Sequence, residues 1–306
     1  MVVTGTNRRL RTSALQRRTD IAGYLFTAPA IIGFLAFFLV PIGYSLVLAF
    51  TKWNMVTPIE YVGLDNFRAM ATDDVVWKSM RVTLYYTLLS VPLSNLYALA
   101  MALLLNSKVK GLSAFRTLFY IPSIVPAVAA SALWMFIFNP LNGVLNSLIA
   151  PLGFSKQMWI FSEQQVIPSL SAVAAWASGS TMVIYLAGLQ GVPQHLYESI
   201  DIDGGNAWHK FKSITLPLLS PVIFYNLVMG VIGSMQAFTQ SYIMTRGKGG
   251  PNNASLFYVM LLYRRAFQFS DMGTACAMAW ILFIVIGLLT AINFYVSNRW
   301  VYYEGA

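Results

Sequence analysis

Charged positions divide this chain before any other feature does. Between them run six intervals without a Lys, Arg, Asp or Glu: 21–51, 82–107, 117–155, 164–197, 213–245 and 272–298. A helix needs about 20 consecutive apolar residues to cross the hydrocarbon of a bilayer, and each interval is long enough for one. Backbone groups in lipid must bond within their own segment, so the intervals read as helices and not as open sheets. The pattern predicts spans near 22–48, 82–105, 116–138, 167–189, 218–242 and 273–296, an all-α polytopic membrane protein with six transmembrane helices. Pro29, Pro41, Pro92, Pro122 and Pro126 fall in or near the first three spans. Each removes a donor and can kink its helix, which neighbouring helices or water repair in a bundle. NPLNG at 139–143 reads as a turn. The stretch 144–155 is too short to cross and reads as a short surface helix.

Composition agrees with that reading. The chain is 57% hydrophobic and 10% charged, against about 25% charged in soluble domains. The net charge of +9 is dispersed among apolar spans with no sustained basic stripe. It therefore fits a membrane-orientation signal and not a nucleic-acid footprint. Arg8, Arg9, Arg11, Arg17 and Arg18 precede the first apolar run as in a signal peptide. That run is too long for an h-region and lacks a cleavage site, so it reads as a retained span. With the N-terminus inside, the inner side also holds Lys108, Lys110, Arg116, Lys210, Lys212 and Arg299. Both termini are then expected in the cytoplasm. The organisation is a basic cytoplasmic segment 1–20, a six-helix domain 21–299 and a cytoplasmic tail 300–306. Cys276, alone in an apolar run, reads as a small buried hydrophobe and excludes an internal disulfide.

One polar segment stands apart: LYESIDIDGGNAWHKFKSITLPLLSP, residues 196–221. Residues 194–202 can form a short amphipathic helix, with Glu198 and Asp201 three apart. Asp203-Gly204 signals a turn. A second helix can begin near Asn206, with Trp208, Phe211 and Ile214 at near-helical spacing. Pro217 is tolerated where the next helix starts. On the residues alone, this segment is either a solvated loop ending a helix or a bracket that plugs into a soluble partner. His195 and His209, 14 residues apart, have no tight ligand pattern, so no metal is expected. The absence of a P-loop means that the chain is not its own ATPase by that route, and no enzyme activity or cofactor is expected of it.

Glu198-Ser199-Ile200, Asp203-Gly204-Gly205, Phe211, Ile214 and Leu216-Pro217 resemble the EAA loop of ABC importer permeases. That loop reads E-A-A, three residues, a D-G-A triplet, then F, I and L-P. Ser199 and Ile200 stand in place of the alanines, and Gly205 in place of the triplet's last member. YLFTAPAIIGFLAFFLVPIGYSLVLAF at 24–50, YVGLDNF at 61–67, FYIPSIVPAVAASALWMFIFNPLNGVLN at 119–146 and YIMTRGKGGP at 242–251 are similar to binding-protein-dependent sugar permeases of the maltose (MalF-like) type. The similarity covers roughly 20–300.

The resemblance implies an ATP-driven importer for a di- or oligosaccharide in a bacterial or archaeal cytoplasmic membrane. Its implied partners are a sister permease, two cytoplasmic ATPase subunits that hold ATP and Mg, and an extracytoplasmic solute-binding protein. Segment 194–217 would be the coupling loop that docks the ATPase. Glu198 would pair with a basic ATPase residue, Gly204 would permit the bend, and Asp203 would cap the helix that follows. Trp208 and Phe211 would either anchor the loop in an apolar cleft or pack beneath it, and Pro217 would close it. The family's sugar sites lie on the fourth and fifth spans. Aligning through GLQ at 188–190 and Y-x-M-T at 242–245 puts Trp176, Ser178, Thr181, Gln236 and Gln240 nearest the solute path. An aromatic plate with neutral hydrogen bonders suits a sugar's apolar ring faces and hydroxyls. An importer for glycerol phosphate or a related ester, and a secondary transporter, are the alternatives; the first wants cations along the path and the second an intramembrane charge relay. The formal sequon at Asn253 is assigned no role. Arg264 and Arg265 read as headgroup anchors for the sixth span.

Overall fold

The computed structural model describes residues 14–107 and 110–302. Arg8, Arg9, Arg11 and Lys108, most of the 1–20 segment and residues 303–306 lie outside them. The chain is helical almost throughout. Helix α1 (Ala14–Phe34) runs through a π turn at Leu35–Leu39 into α2 (Val40–Leu48). That turn falls just before Pro41, whose ring and missing amide disturb the ladder there. A small antiparallel hairpin, β1 (Thr51–Lys52) with β2 (Glu60–Tyr61), leads to the amphipathic α3 (Asp65–Thr72). Helix α4 (Asp74–Leu105) begins at Asp73, whose side chain accepts from the Val75 amide, and passes Pro92 unbroken.

The third expected span is corrected by the structure. Helices α5 (Leu112–Ile124) and α6 (Ala127–Ile137) meet at 99°. Val125 is extended, at φ −64° and ψ 128°, because the residue before a proline is pushed out of the helical region. The turn at 139–143 forms as expected, with Asn139 Oδ1 accepting from the amides of Leu141 and Asn142. The short α7 (Val144–Ile149) follows it. The fourth interval is also bent, by 50°, between α8 (Val166–Trp176) and α9 (Gly179–Gln190).

Two short helices come next, α10 (Gln194–Ile202) and α11 (Ala207–Lys210). A π turn at Phe211–Thr215 joins α11 to α12 (Leu216–Met235). The expected fifth span therefore loses regular helix at Gln236, and α13 (Thr239–Met244) resumes after a break. Helix α14 (Tyr258–Tyr263), a π turn at Arg264–Gln268 and α15 (Met272–Ser297) complete the chain. Among the described residues four stretches are long and apolar enough to cross a membrane: Gln16–Leu48, Asp74–Leu105, Ala207–Met244 and Met272–Ser297. The count reaches six when each bent pair makes one crossing.

Helix α4 is central and packs against α8, α9 and α12. One core, toward the start of α4, gathers Met80, Tyr86, Leu170, Val173, Tyr258, Met260 and Met278. A smaller one, toward its end, gathers Ala98, Ala102, Leu105, Met182, Tyr185, Leu189 and Leu219. Lipid offers no hydrophobic gain for bringing helices together, so close contact and buried polar bonds must do so. Gly188 supplies the close contact: a Cβ there would lie 2.8 Å from Leu219 Cδ1. Helix α1 is the exception to this packing, with almost none of its apolar surface buried by the other described residues.

Candidate functional site

Two features concentrate polar groups, a bracket at one end of the bundle and a cavity within it. The bracket follows Pro193, which sits in extended conformation just before α10. Helix α10 stops where Gly204 takes φ +73°, a left-handed conformation that costs a side chain but not glycine. The Gly205 amide reaches back to the Ile200 carbonyl at 2.8 Å and that of Asp203 to Ser199 at 3.1 Å. Gly205 has its own reason to be glycine. A Cβ there would lie 2.4 Å from Ile200 Cγ2 and 3.2 Å from the Ile200 carbonyl oxygen. The two departures from the E-A-A and D-G-A pattern thus face each other across the turn.

The cap of α11 differs from expectation. Asn206 accepts from the His209 amide at 3.1 Å, whereas Asp203 is the C-terminal cap residue of α10. An N-cap side chain bonds two or three residues ahead, and Asp203 is too far upstream of Ala207 to do so. Two side-chain bonds hold the bracket to itself and to the bundle. Lys210 Nζ meets Asp201 at 2.6 Å, and the Tyr197 and Thr215 hydroxyls are 3.0 Å apart. Trp208 stacks on Phe211 with ring centroids 5.6 Å apart. Trp208 and Ile202 are exposed, at 64% and 86%, so the bracket presents apolar surface outward. Glu198 is exposed and makes no ion pair among the described residues. Pro217 differs from the expected helix start: it lies inside a continuous helical run, two residues past the π turn at Phe211–Thr215, and its ring and missing amide disturb the ladder there as Pro41 does in the first span.

The cavity, about 380 Å³, lies between α4, α9 and α12. Its polar lining comes from Ser90, Ser94 and Asn95 of α4, Ser180 and Thr181 of α9, and Asn226 and Ser234 of α12, with Tyr86 and Tyr225 supplying rings. Among the described residues no Lys, Arg, Asp or Glu lines it. Beside it the Tyr185 hydroxyl donates to Asn95 Oδ1 at 2.6 Å, and Asn95 Nδ2 donates to the Val91 carbonyl at 2.8 Å. Asn226 Nδ2 is buried with no hydrogen-bond partner among the described residues.

Of the five expected solute-path residues, Thr181 lines this cavity. Ser178 is buried at the α8–α9 bend, where its hydroxyl donates to the Ala175 carbonyl at 2.7 Å. Trp176 packs edge-on against Trp134. Gln236 is exposed at the end of α12, and Gln240 is half-buried on α13. Ser90, Ser94 and Asn95 were not among the expected residues. Their signal was a run of small polar residues inside a charge-free interval.

At the bundle end opposite the bracket, Arg265 is not a free anchor. Its Nη2 meets Asp73 Oδ2 at 2.5 Å and its Nη1 lies 4.0 Å from Asp271 Oδ2. Asp73 caps α4 and Asp271 caps α15 through the Thr274 amide. One guanidinium thus joins the caps of two spanning helices. Arg264 lies over the Phe269 ring, 5.5 Å from its centre. Among the described residues no cluster of three or more His, Cys, Asp or Glu is placed to hold a metal.

Comparison with known proteins gives a coherent result. The model of the family described as binding-protein-dependent transport system inner membrane component matches residues 95–302. The chain is 42% identical to the probable ABC transporter permease protein YesP of Bacillus subtilis, over 94% of each chain. It is 34% identical to the arabinooligosaccharides transport system permease protein AraP of the same organism, over 90% of this chain and 88% of that one. In fold it resembles a chain of a bacterial alginate ABC transporter solved with an alginate pentasaccharide-bound periplasmic protein, with a TM-score of 0.80. That match is 21% identical and covers 92% of this chain and 96% of the other.

Proposed function

The chain belongs to the family of binding-protein-dependent transport system inner membrane components, and from that premise we propose how its two polar features divide the labour of import. The protein is a multi-pass membrane permease subunit of an ABC importer for carbohydrate. It forms half of the solute path beside a sister permease. Its bracket, 194–217, faces the cytoplasm and docks one of two ATPase subunits, and a solute-binding protein delivers sugar to the other face. Both termini are cytoplasmic. ATP and Mg belong to the ATPase subunits.

Within the bracket, Gly204 sets the turn and Glu198 offers an unpaired carboxylate to a basic residue of the ATPase. Trp208 and Ile202 enter an apolar cleft on that partner, and Phe211 backs Trp208. Asp203 ends the first helix, and Pro217 sits just past the π turn that leads into the span. The solute path runs by Thr181, with Trp176, Ser178, Gln236 and Gln240 bordering it on the side away from the bracket. Alternating access needs contacts that differ between two states, and a bracket tied to α12 through Thr215 keeps the docking surface attached while the helices move.

The observation that carries this reading is the charge-free, hydroxyl- and amide-rich lining of the 380 Å³ cavity with two tyrosine rings. Neutral donors and acceptors with aromatic faces suit a sugar. A phosphate ester would want cations there, and none lines it. The test is the complex reconstituted in proteoliposomes with its sister permease, ATPase and binding protein, assayed across sugars. Uptake of at least one oligosaccharide with solute-stimulated ATP hydrolysis is expected. Stimulation by glycerol phosphates alone, or uptake that proceeds without ATP, would overturn it.

A further inference from the structure

A cavity of about 440 Å³ opens at the bundle end opposite the bracket, where α13 ends beside α6. Met135, Ile160, Phe161 and Pro251 give it apolar walls, and Arg246 and Lys248 stand in its lining. Among the described residues no acid lines it. It differs in this from the 380 Å³ cavity, whose lining carries no charge of either sign.

The backbone after α13 is shaped to hold the two cations there. Gly247 and Gly249 take φ +72° and +79°. A Cβ on the first would lie 3.2 Å from the Tyr242 ring, and one on the second 2.9 Å from Leu256 Cβ. Glycine at these two positions lets the chain lie flat on the bundle, and the alternate positions, Arg246 and Lys248, line the cavity. The Gly247 amide donates to the Tyr242 carbonyl at 2.7 Å, that of Lys248 to the Thr245 carbonyl at 3.0 Å and that of Gly249 to Thr245 Oγ1 at 3.0 Å. Arg246 itself is left-handed, at φ +50°, a conformation that disfavours a residue with a side chain and persists where its surroundings fix it.

These cations are unanswered. Both are exposed, and neither has an ion-pair partner among the described residues. Glu163, two residues past Phe161, accepts instead from Asn252 Nδ2 at 3.4 Å. A solute anionic enough to need these cations would find none in the 380 Å³ cavity, so the charge here answers a partner and not the cargo. Resting on the importer reading above, we propose that this cavity is a socket for an acidic, apolar-tipped loop of the solute-binding protein. Arg246 and Lys248 meet the carboxylates of that loop, and the half-exposed Phe161 meets its tip. Charges so placed steer encounter and fix register. Helix α13 links the socket to the neutral cavity: it starts two residues past Ala237, which lines that cavity, and ends at Met244, which lines the socket.

The test uses the assembled transporter in proteoliposomes, titrated with its purified, sugar-loaded binding protein. Arg246→Gln with Lys248→Gln should raise the concentration of binding protein that half-saturates ATP hydrolysis about five- to tenfold at low salt, with the maximal rate kept. In salt of about 0.5 M the gap should narrow. A photoreactive phenylalanine analogue in place of Phe161 should crosslink to one acidic peptide of the binding protein. Changing the acids of that peptide to lysine should weaken its binding to the unaltered transporter and restore its binding to Arg246→Glu with Lys248→Glu. An unchanged half-saturating concentration in the glutamine pair would overturn the proposal, as would crosslinks to the sister permease or to lipid alone. A defect confined to acidic sugars, with affinity for the binding protein intact, would assign the cations to the cargo and overturn it too. In each of these cases the unaltered transporter still couples sugar uptake to ATP, so the importer reading stands or falls separately.

Discussion

The pairing of Ile200 with Gly205 allows a sharp test of the bracket. In Gly205→Ala the new Cβ would lie 2.4 Å from Ile200 Cγ2 and 3.2 Å from the carbonyl oxygen of the same residue. The first contact is far inside van der Waals distance. Ile200 cannot swing clear, because Cγ2 is carried on its own Cβ and a β-branched side chain in a helix is held to essentially one χ1 rotamer. The turn must open instead, straining the 2.8 Å bond from the Gly205 amide to the Ile200 carbonyl. Overpacking of this kind costs roughly 1–3 kcal/mol. If that distortion falls on the docked bracket, it weakens the permease–ATPase contact by about 5- to 150-fold. Ile200→Ala deletes Cγ2 and leaves the 3.2 Å contact, which a few tenths of an ångström relieve. The double variant therefore approaches the family's own pattern and should recover most of the loss. The assay is ATPase affinity for the purified permease pair, with solute-stimulated hydrolysis as a second readout, across all four members of the cycle. A Gly205→Ala variant that binds normally, or a double variant no better than Gly205→Ala alone, would refute the argument.

Other substitutions probe the remaining features. Glu198→Gln removes the exposed carboxylate without altering the helix, and loss of a charge-assisted bond of about 1.5–3 kcal/mol should cut solute-stimulated hydrolysis tenfold or more; normal uptake would remove the coupling role of this residue. Gly204→Ala forces a side chain to φ +73°, at about 1–2 kcal/mol, and Gly204→Asn should be milder in the same uptake assay. Asn95→Leu strips the buried Tyr185 hydroxyl of its partner, which should lower stability by about 1–3 kcal/mol in thermal unfolding and shift the half-saturating sugar concentration. An unchanged sugar dependence would separate the cavity from the path. Arg265→Met breaks the link between the caps of α4 and α15 and should cost about 1–3 kcal/mol in thermal unfolding, with Arg265→Lys retaining part of it.

What was legible in the sequence followed the range of its physics. The sixth span was expected at 273–296 and found at Met272–Ser297, because charges bound it on both sides and no proline interrupts it. The second began earlier than expected, at Asp74, because Lys78 and Arg81 were read as ending the apolar run, although they belong to its first turns. Pro126 was expected to be absorbed as a kink, yet a proline and its extended neighbour turned the chain by 99°. Whether a bundle repairs such a break is decided by neighbours that lie far away in sequence. The bracket was legible because its signals are local: a turn glycine and two short helices. Its second helix was expected to begin near Asn206 and does so; only the capping side chain was misassigned, to Asp203, three positions too early. The cavity lining was the least legible. Ser90, Ser94 and Asn95 look like packing residues in a linear reading, and only the rotation of α4 toward α9 and α12 puts them on the cavity.

The unbroken run from Ala207 through the π turn to Met235 has one more consequence. It makes a single rod about 40 Å long, with the exposed Trp208 near one end and Asn226, Gly230 and Ser234 along the other half. A thrust at the tryptophan has no loop in which to be lost, so the cavity-lining groups must pivot or slide with it as on a stiff lever. The first slack is at Gln236–Phe238, where the helix gives way.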